Sequence, residues 1–210
     1  MEKTFSQLVK DKTVDVQGSH WAALINAHGC VGRDLDKAIA VFNSIEKHPS
    51  TVASGLRLPD AVAFEALINV LVTLRRTDLV PEYLNRLRRS GVHMTAYIAN
   101  LLIRGYAAAG DIEQARLVFE SLADPPVGVA APNNHAPHNV AAPPRISPNE
   151  LVYREVRSVL LVASAHANQP RQPSTWEAMV RAELGNSNRD HAIALIQRVH
   201  ERYVFPRGSG

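Results

Sequence analysis

The chain has 210 residues and one cysteine, Cys30. A lone thiol excludes an internal disulfide and a zinc site built from cysteines. Cys30 falls inside the apolar pattern of a helix, which predicts a buried, inert thiol. The apolar runs are too short to span a bilayer. Residues 1–8 lack both the apolar core of a signal peptide and the Arg-rich, acid-poor look of a transit peptide. The expectation is a cytosolic protein, or a chain that starts downstream of a removed targeting segment. Charge of one sign is also scarce: 23 Lys and Arg stand against 20 Asp and Glu, a net +3. That balance permits polyanion binding without demanding it. The nine histidines add positive charge only at mildly acidic pH.

Catalytic motifs are missing too. There is no Gly-rich phosphate loop, no His-Glu-x-x-His pair and no nucleophile elbow. The acidic pairs Asp34 with Asp36 and Asp111 with Glu113 sit where helices begin, a position the helix dipole favours. His135 and His138 stand in a segment without neighbouring carboxylates and read as solvated rather than metal-binding. No enzyme activity, cofactor, metal or small-molecule substrate is expected.

What the sequence does have is one unit written at least three times. Trp21-Ala22-Ala23-Leu24-Ile25-Asn26, Phe64-Glu65-Ala66-Leu67-Ile68-Asn69 and Ala99-Asn100-Leu101-Leu102-Ile103-Arg104 each open an apolar stripe. A second stripe follows sixteen or seventeen positions later, at Ala38, Val80 and Ala115, and Trp176 to Ala192 keeps the offset. Repetition at this period means stacked helical hairpins, because one hairpin cannot bury its apolar face alone. The expected fold is all-α, a right-handed α-solenoid of helix-turn-helix repeats.

The expected organisation is a capping segment over 1–18 and repeats over 19–60, 61–95 and 96–122. A Pro/Ala/Asn/His-rich disordered loop follows over 123–147, then one or more degenerate repeats over 148–204 and a flexible tail over 205–210. Residues 48–57 read as a loop-like insertion. Asp34 and Asp111 are expected N-caps, Pro81 sits in a first helical turn, and Gly91 and Gly110 end helices. Ser174-Thr175-Trp176-Glu177 reads as a capping box. Tyr153, Val156, Leu160, Leu161 and Ala167 make a further amphipathic stripe, which leaves the pairing of the last three helices open.

The phrases Leu24-Ile25-Asn26, Leu67-Ile68-Asn69 and Leu102-Ile103-Arg104-Gly105-Tyr106 are the first part of a resemblance. The second is Gly110-Asp111-Ile112-Glu113-Gln114-Ala115-Arg116-Leu117-Val118-Phe119, and the Pro-Asp-like ending is Leu58-Pro59-Asp60. Together they resemble the pentatricopeptide repeat family. The tetratricopeptide repeat, the nearest rival, has Leu-Gly where this chain has Leu-Ile three times. The resemblance covers residues 19–122 and, in weaker form, 148–203. Departures are an extra residue at Arg33-Asp34, insertions after the first and third hairpins, and Arg75-Arg76 in place of the turn glycine. Such insertions resemble fungal members, which are mostly organellar, so a mitochondrial location is implied.

The resemblance implies single-stranded RNA binding, one base per repeat. Its base-reading positions fall on Asn100 with stacking Tyr97 and closing Asn149 in the third repeat. In the second they fall on Val62, Glu65 and Thr95, and in the first on Ser19, Ala22 and Asp60. An amide such as Asn100 presents both donor and acceptor to a base edge. Phosphate contacts are expected from Arg104, Arg75 and Arg76, while Arg86, Arg88 and Arg89 read as a solvated convex face. The alternative is a protein-binding scaffold on the same solenoid, and the chain reads also as a fragment of a longer array.

Overall fold

Each hairpin closes on a residue that the helical backbone cannot absorb, and these turns set the architecture. The computed structural model describes residues 3, 5 and 7, 16–54, 59–124 and 170–203. Helix α1 (Gly18–Asn26) runs into a single π-helical turn (Ala27–Val31), and α2 (Leu35–Ser44) returns from it. A short α3 (Pro49–Ser54) follows, then α4 (Ala61–Thr73) with α5 (Val80–Arg89) and α6 (Ala96–Ala108) with α7 (Ile112–Glu120). The described chain ends in α8 (Pro173–Gly185) and α9 (Arg189–Tyr203). Among the described residues there is no β-strand, only an isolated parallel bridge between Ala123 and Pro170.

The turn within each of the four hairpins holds one left-handed residue, Arg33 (φ 52°), Arg75 (φ 58°), Gly110 (φ 82°) and Ser187 (φ 62°), and Gly91 (φ 70°) ends α5 before the next hairpin. Arg75 thus adopts the conformation that glycine serves in the α6–α7 turn, at a cost glycine avoids. The N–H groups of Arg76, Asp111 and Asn188 then reach back to the carbonyls of Leu71, Tyr106 and Glu183 at 2.8, 2.9 and 2.9 Å. These bonds satisfy carbonyls at the end of each first helix. The first hairpin carries one residue more, and the π turn takes it up, since an i→i+5 turn holds an inserted residue without breaking the helix. At this turn Gly29 meets α4 so closely that a Cβ would lie 2.3 Å from the Val70 methyls.

Caps form as expected at Asp34 and Asp111, and Asp60 adds a third. Asp34, Asp60 and Asp111 accept from the N–H of Lys37, Ala63 and Gln114 at 3.0, 3.0 and 3.1 Å. The bond from the Lys37 N–H holds the Asp34 carboxyl below its usual range. A capping box at Ser174 does not form. Pro173 occupies the first turn and presets the helical φ, so α8 starts two residues earlier, after Gln172, without a side-chain cap. Residues 49–54, expected as loop, are helical. The apolar stripe from Tyr153 to Ala167, the segment 125–147 and the tail lie outside the described residues.

Two compact units divide the chain, Met1–Ile98 and Ala99–Gly210. In the first, Phe42 of α2 packs edge-on against Phe64 of α4 (5.0 Å) and Tyr83 of α5 (5.8 Å). Arg86 lies over the Phe42 and Tyr83 rings at 5.0 and 5.4 Å and donates to Asn43 at 2.6 Å, so it is a packing residue rather than part of a solvated face. Trp21 is covered by Phe5 (4.7 Å) and His48 (4.9 Å). Cys30 is half-buried rather than buried: its thiol donates to Asn26 Oδ1 and its sulfur accepts from Asn69 Nδ2.

In the second unit, Phe119 of α7 packs edge-on against Trp176 of α8 at 5.0 Å. Arg171, 2% exposed, lies 4.3 Å from the Phe119 ring centroid and donates to the Phe119 carbonyl at 2.8 Å. Its other nitrogens bond Glu120 (2.9 Å) and Asp124, which Arg198 of α9 also engages. Burial draws the Arg171 guanidinium below its usual range, against the pull of Glu120 and Asp124. Arg116 spans α7 to α8, pairing with the buried Glu183 at 2.7 and 2.9 Å.

Three predictions concern these elements. Gly110 has open space around it and φ +82°, so Gly110→Ala meets only backbone strain and should lose about 1 kcal/mol in urea denaturation. Gly185, in equally open space as the last residue of α8 and with no positive φ, should gain about 0.4–1 kcal/mol as Gly185→Ala. Tyr106 is buried, and desolvation, helped by Asp111, pushes its phenol up to about 12 from 10.0. A raised folded-state pKa means that the stability it carries is intact below pH 10 and is lost between pH 10 and 12. Tyr106→Phe should remove that alkaline step of about 2–3 kcal/mol, read from melts over this range.

Candidate nucleic-acid interface

Residues four apart on a helix share a face. Two such rows run along the first helices of the hairpins. One row holds the residue just after each opening position: Ala22, Glu65, Asn100 and Glu177. The other lies four residues on: Asn26, Asn69, Arg104 and Arg181.

In the first unit both rows are satisfied from within. Asn69 donates to Asn26 Oδ1 at 3.3 Å. Glu65 accepts from the Thr95 hydroxyl at 2.5 Å, and Thr95 in turn accepts from the Ile98 N–H at 3.2 Å, which makes it a cap for α6. The two polar positions expected to read a base in the second repeat are therefore bonded to each other. Val62, beside them on α4, is 43% exposed. Asp60 is committed to its capping bond and lies against Gly18, where a Cβ would fall 2.0 Å from its carboxylate. Arg75 is exposed at its turn, and its neighbour Arg76 pairs with Asp78 at 2.8 Å.

The second unit differs. A cleft of about 500 Å³ lies between α6 and α8, floored by Ala107, Ala108, Ala178 and Ala182 and flanked by Arg104 and Arg181. Arg104 Nε donates to the Asn100 carbonyl at 3.2 Å, and among the described residues no carboxylate pairs with its guanidinium. Arg181 pairs with Glu177 at 2.6 Å, with both side chains exposed. Asn186 closes one end, donating to the carbonyls of Ala107 (3.3 Å) and Ala182 (2.9 Å). Two guanidiniums over a floor of small side chains form a concave cationic surface suited to a phosphodiester, which guanidinium binds in bidentate fashion.

Asn100 is half-buried, and its amide donates to Ser174 Oγ on α8 at 3.0 Å. Its side-chain oxygen is buried with no protein partner among the described residues. A base edge would meet this amide by displacing the serine. Tyr97, one turn before Asn100 on α6, is 49% exposed, which leaves one ring face available for stacking. Asn149 lies outside the described residues. The sequence reading passed over Arg181 and Ser174. Arg181 follows Trp176 by the interval at which Arg104 follows Ala99, so that signal was present in the repeat.

Helical hairpins of fixed period, closed by left-handed turns and joined by second-helix aromatics, define a helical-repeat protein. A family model described as pentatricopeptide repeat-containing protein matches residues 3–122, more than half the sequence, and the chain belongs to that family. Its members are generally organellar RNA-binding proteins. The chain is 24% identical to the mitochondrial pentatricopeptide repeat-containing protein 5 of Schizosaccharomyces pombe, over 97% of this chain and 13% of that protein. A mitochondrial pentatricopeptide repeat-containing protein of Arabidopsis thaliana is 28% identical over 49% of this chain and 14% of its own length. A second Arabidopsis pentatricopeptide repeat-containing protein is 33% identical over 30% of this chain and 12% of its own. The chain thus spans about an eighth of the length of these relatives. No helix of the described residues is long and apolar enough to cross a membrane.

The Asn100–Ser174 contact is exposed, so Ser174→Ala should change stability by less than about 1 kcal/mol in urea denaturation. A larger loss would show that the serine anchors α8 to α6.

Proposed function

We propose that this chain binds single-stranded RNA along the faces of α6 and α8, within a mitochondrial protein that acts in transcript processing, stability or translation. The observation that carries this reading is the pair Arg104 and Arg181 flanking a small-residue cleft, one turn from Asn100. Each guanidinium takes a backbone phosphate, Asn100 presents its amide to a base edge, and Tyr97 offers its exposed ring for stacking, worth about 1–3 kcal/mol per base. The role is binding, not catalysis. The mitochondrial setting draws on the names of two of the relatives. Glu65 with Thr95, and Asn26 with Asn69, spend their polar groups on each other, so base selection in the first unit is weak. Asn149, Val62, Asp60 and Arg75 keep the places that the family resemblance gives them, as secondary contacts.

A second reading is a protein-binding scaffold. It is favoured by the row Ala22, Glu65, Asn100 and Glu177, in which one residue has no hydrogen-bonding side chain and two are acidic.

Fluorescence polarisation against random single-stranded RNA and DNA over a salt series separates the two. The expected result is micromolar binding that prefers RNA and weakens with salt. Arg104→Ala with Arg181→Ala should weaken it at least ten-fold and flatten the salt slope by about 0.7 per lost phosphate contact. Absence of binding at low salt would reject the RNA reading in favour of the scaffold.

A further inference from the structure

The cleft between α6 and α8 is shut at both ends along the helices. At one end Asn100 donates to Ser174 Oγ at 3.0 Å, and at the other Asn186 donates to the carbonyls of Ala107 and Ala182 at 3.3 and 2.9 Å. Asn100 and Ala107 stand two turns apart on α6, so the slot is about 10 Å long. With a volume of about 500 Å³ it has the size of a ligand pocket. Arg104 and Arg181 both line it, and among the described residues no carboxylate does. The Arg181–Glu177 pair is exposed on both sides, a weak contact that a stronger anion displaces. The two arginines occupy equivalent repeat positions, five residues after Ala99 and Trp176. In the first unit the same positions hold Asn26 and Asn69, whose short side chains meet at 3.3 Å. Side chains at this level converge, so two longer guanidiniums placed there can close on one group.

We infer that this cleft is a site for the terminal phosphate monoester of an RNA strand. The inference rests on the RNA reading above and adds that, where a strand ends in the cleft, both arginines share one phosphate. A backbone diester carries one charge and two free oxygens, which a single bidentate guanidinium engages. A monoester carries a charge of about −1.5 to −2 at pH 7 and three strong acceptor oxygens, so it takes both guanidinium forks at once. The closed slot points the same way. A strand end enters it from the open face, whereas a strand running along the helices would have to break the Asn100–Ser174 contact or the Asn186 bridge. The small side chains of Ala178 and Ala182 let the phosphate sink between the helices, where partial exclusion of water strengthens both contacts. The 5′ and 3′ ends of a strand offer the same chemistry, and the test separates them.

The test uses the whole chain and one short single-stranded RNA with an internal fluorophore, prepared with hydroxyls at both ends, with a 5′-phosphate or with a 3′-phosphate. In fluorescence polarisation, a phosphorylated form should bind about ten-fold more tightly than the hydroxyl form, and the form that does so names the end. Arg104→Lys and Arg181→Lys keep the charge but lose the bidentate fork, so each alone should cut that preference to about two-fold or less. Equal binding of the three forms would overturn the inference and leave the RNA reading standing. A preference that survives both substitutions would also overturn it, since the monoester would then be held elsewhere. Binding of none of the three would overturn the RNA reading and the inference with it.

Discussion

The constraint on which the rest depends is an edge-to-face contact between one hairpin's second helix and the next hairpin's opening residue. Phe42 on Phe64 and Phe119 on Trp176 hold ring centroids 5.0 Å apart in both units. Such a pair is worth about 0.5–1.5 kcal/mol beyond the area it buries, and its geometry fixes the rotation of one hairpin against the next. Each pair also carries arginine: Arg86 over Phe42, and Arg171 and Arg198 over Phe119 and Trp176. A guanidinium on an aromatic face tolerates partial burial because its weakly hydrated plane loses little on leaving water. Packing and polarity are thereby joined, and the stack excludes water while keeping charge at its rim.

Once that rotation is set, the spacing of the first helices follows, and the side chains at the groove decide what the groove can hold. In the first unit Gly29 against Val70 brings α1 and α4 close enough for Asn26 and Asn69 to meet, and their amides saturate one another. In the second unit alanines line the same level, but arginines stand where the asparagines stood. The arginines do not bond each other as the two amides do, so one repeat pattern yields a sealed surface in one unit and an open, arginine-flanked cleft in the other.

Much of the fold was legible because it rests on local signals. The period of the apolar stripe, Asp before an apolar run and glycine after one all act within a few residues. The π turn was half legible. The extra residue at Arg33-Asp34 shows in the sequence, but not that α1 absorbs it in a π turn packed against Val70 of α4. The polar contacts at the groove were not legible. Glu65 with Thr95 and Asn100 with Ser174 join residues 30 and 74 positions apart, and no periodicity reports such pairs. Arg86 was misread for a related reason. Its charge predicts solvent, while the Phe42 ring beneath its guanidinium decides the outcome.

The second unit also shows how a stack survives a long interruption. Residues 125–169 separate α7 from α8, yet Phe119 meets Trp176 as Phe42 meets Phe64. Polar interactions gather where the described chain resumes. The Arg171 N–H donates to the Ala123 carbonyl at 2.8 Å, and its side chain bonds Phe119, Glu120 and Asp124. Arg198 holds the same two carboxylates from α9. Hydrogen bonds to charged groups contribute about 1.5–3 kcal/mol each. The desolvation of Arg171 lowers the net gain, which is why it is met by two carboxylates and a carbonyl rather than by one acid. The cluster thereby ties the register of α8 and α9 to the end of α7.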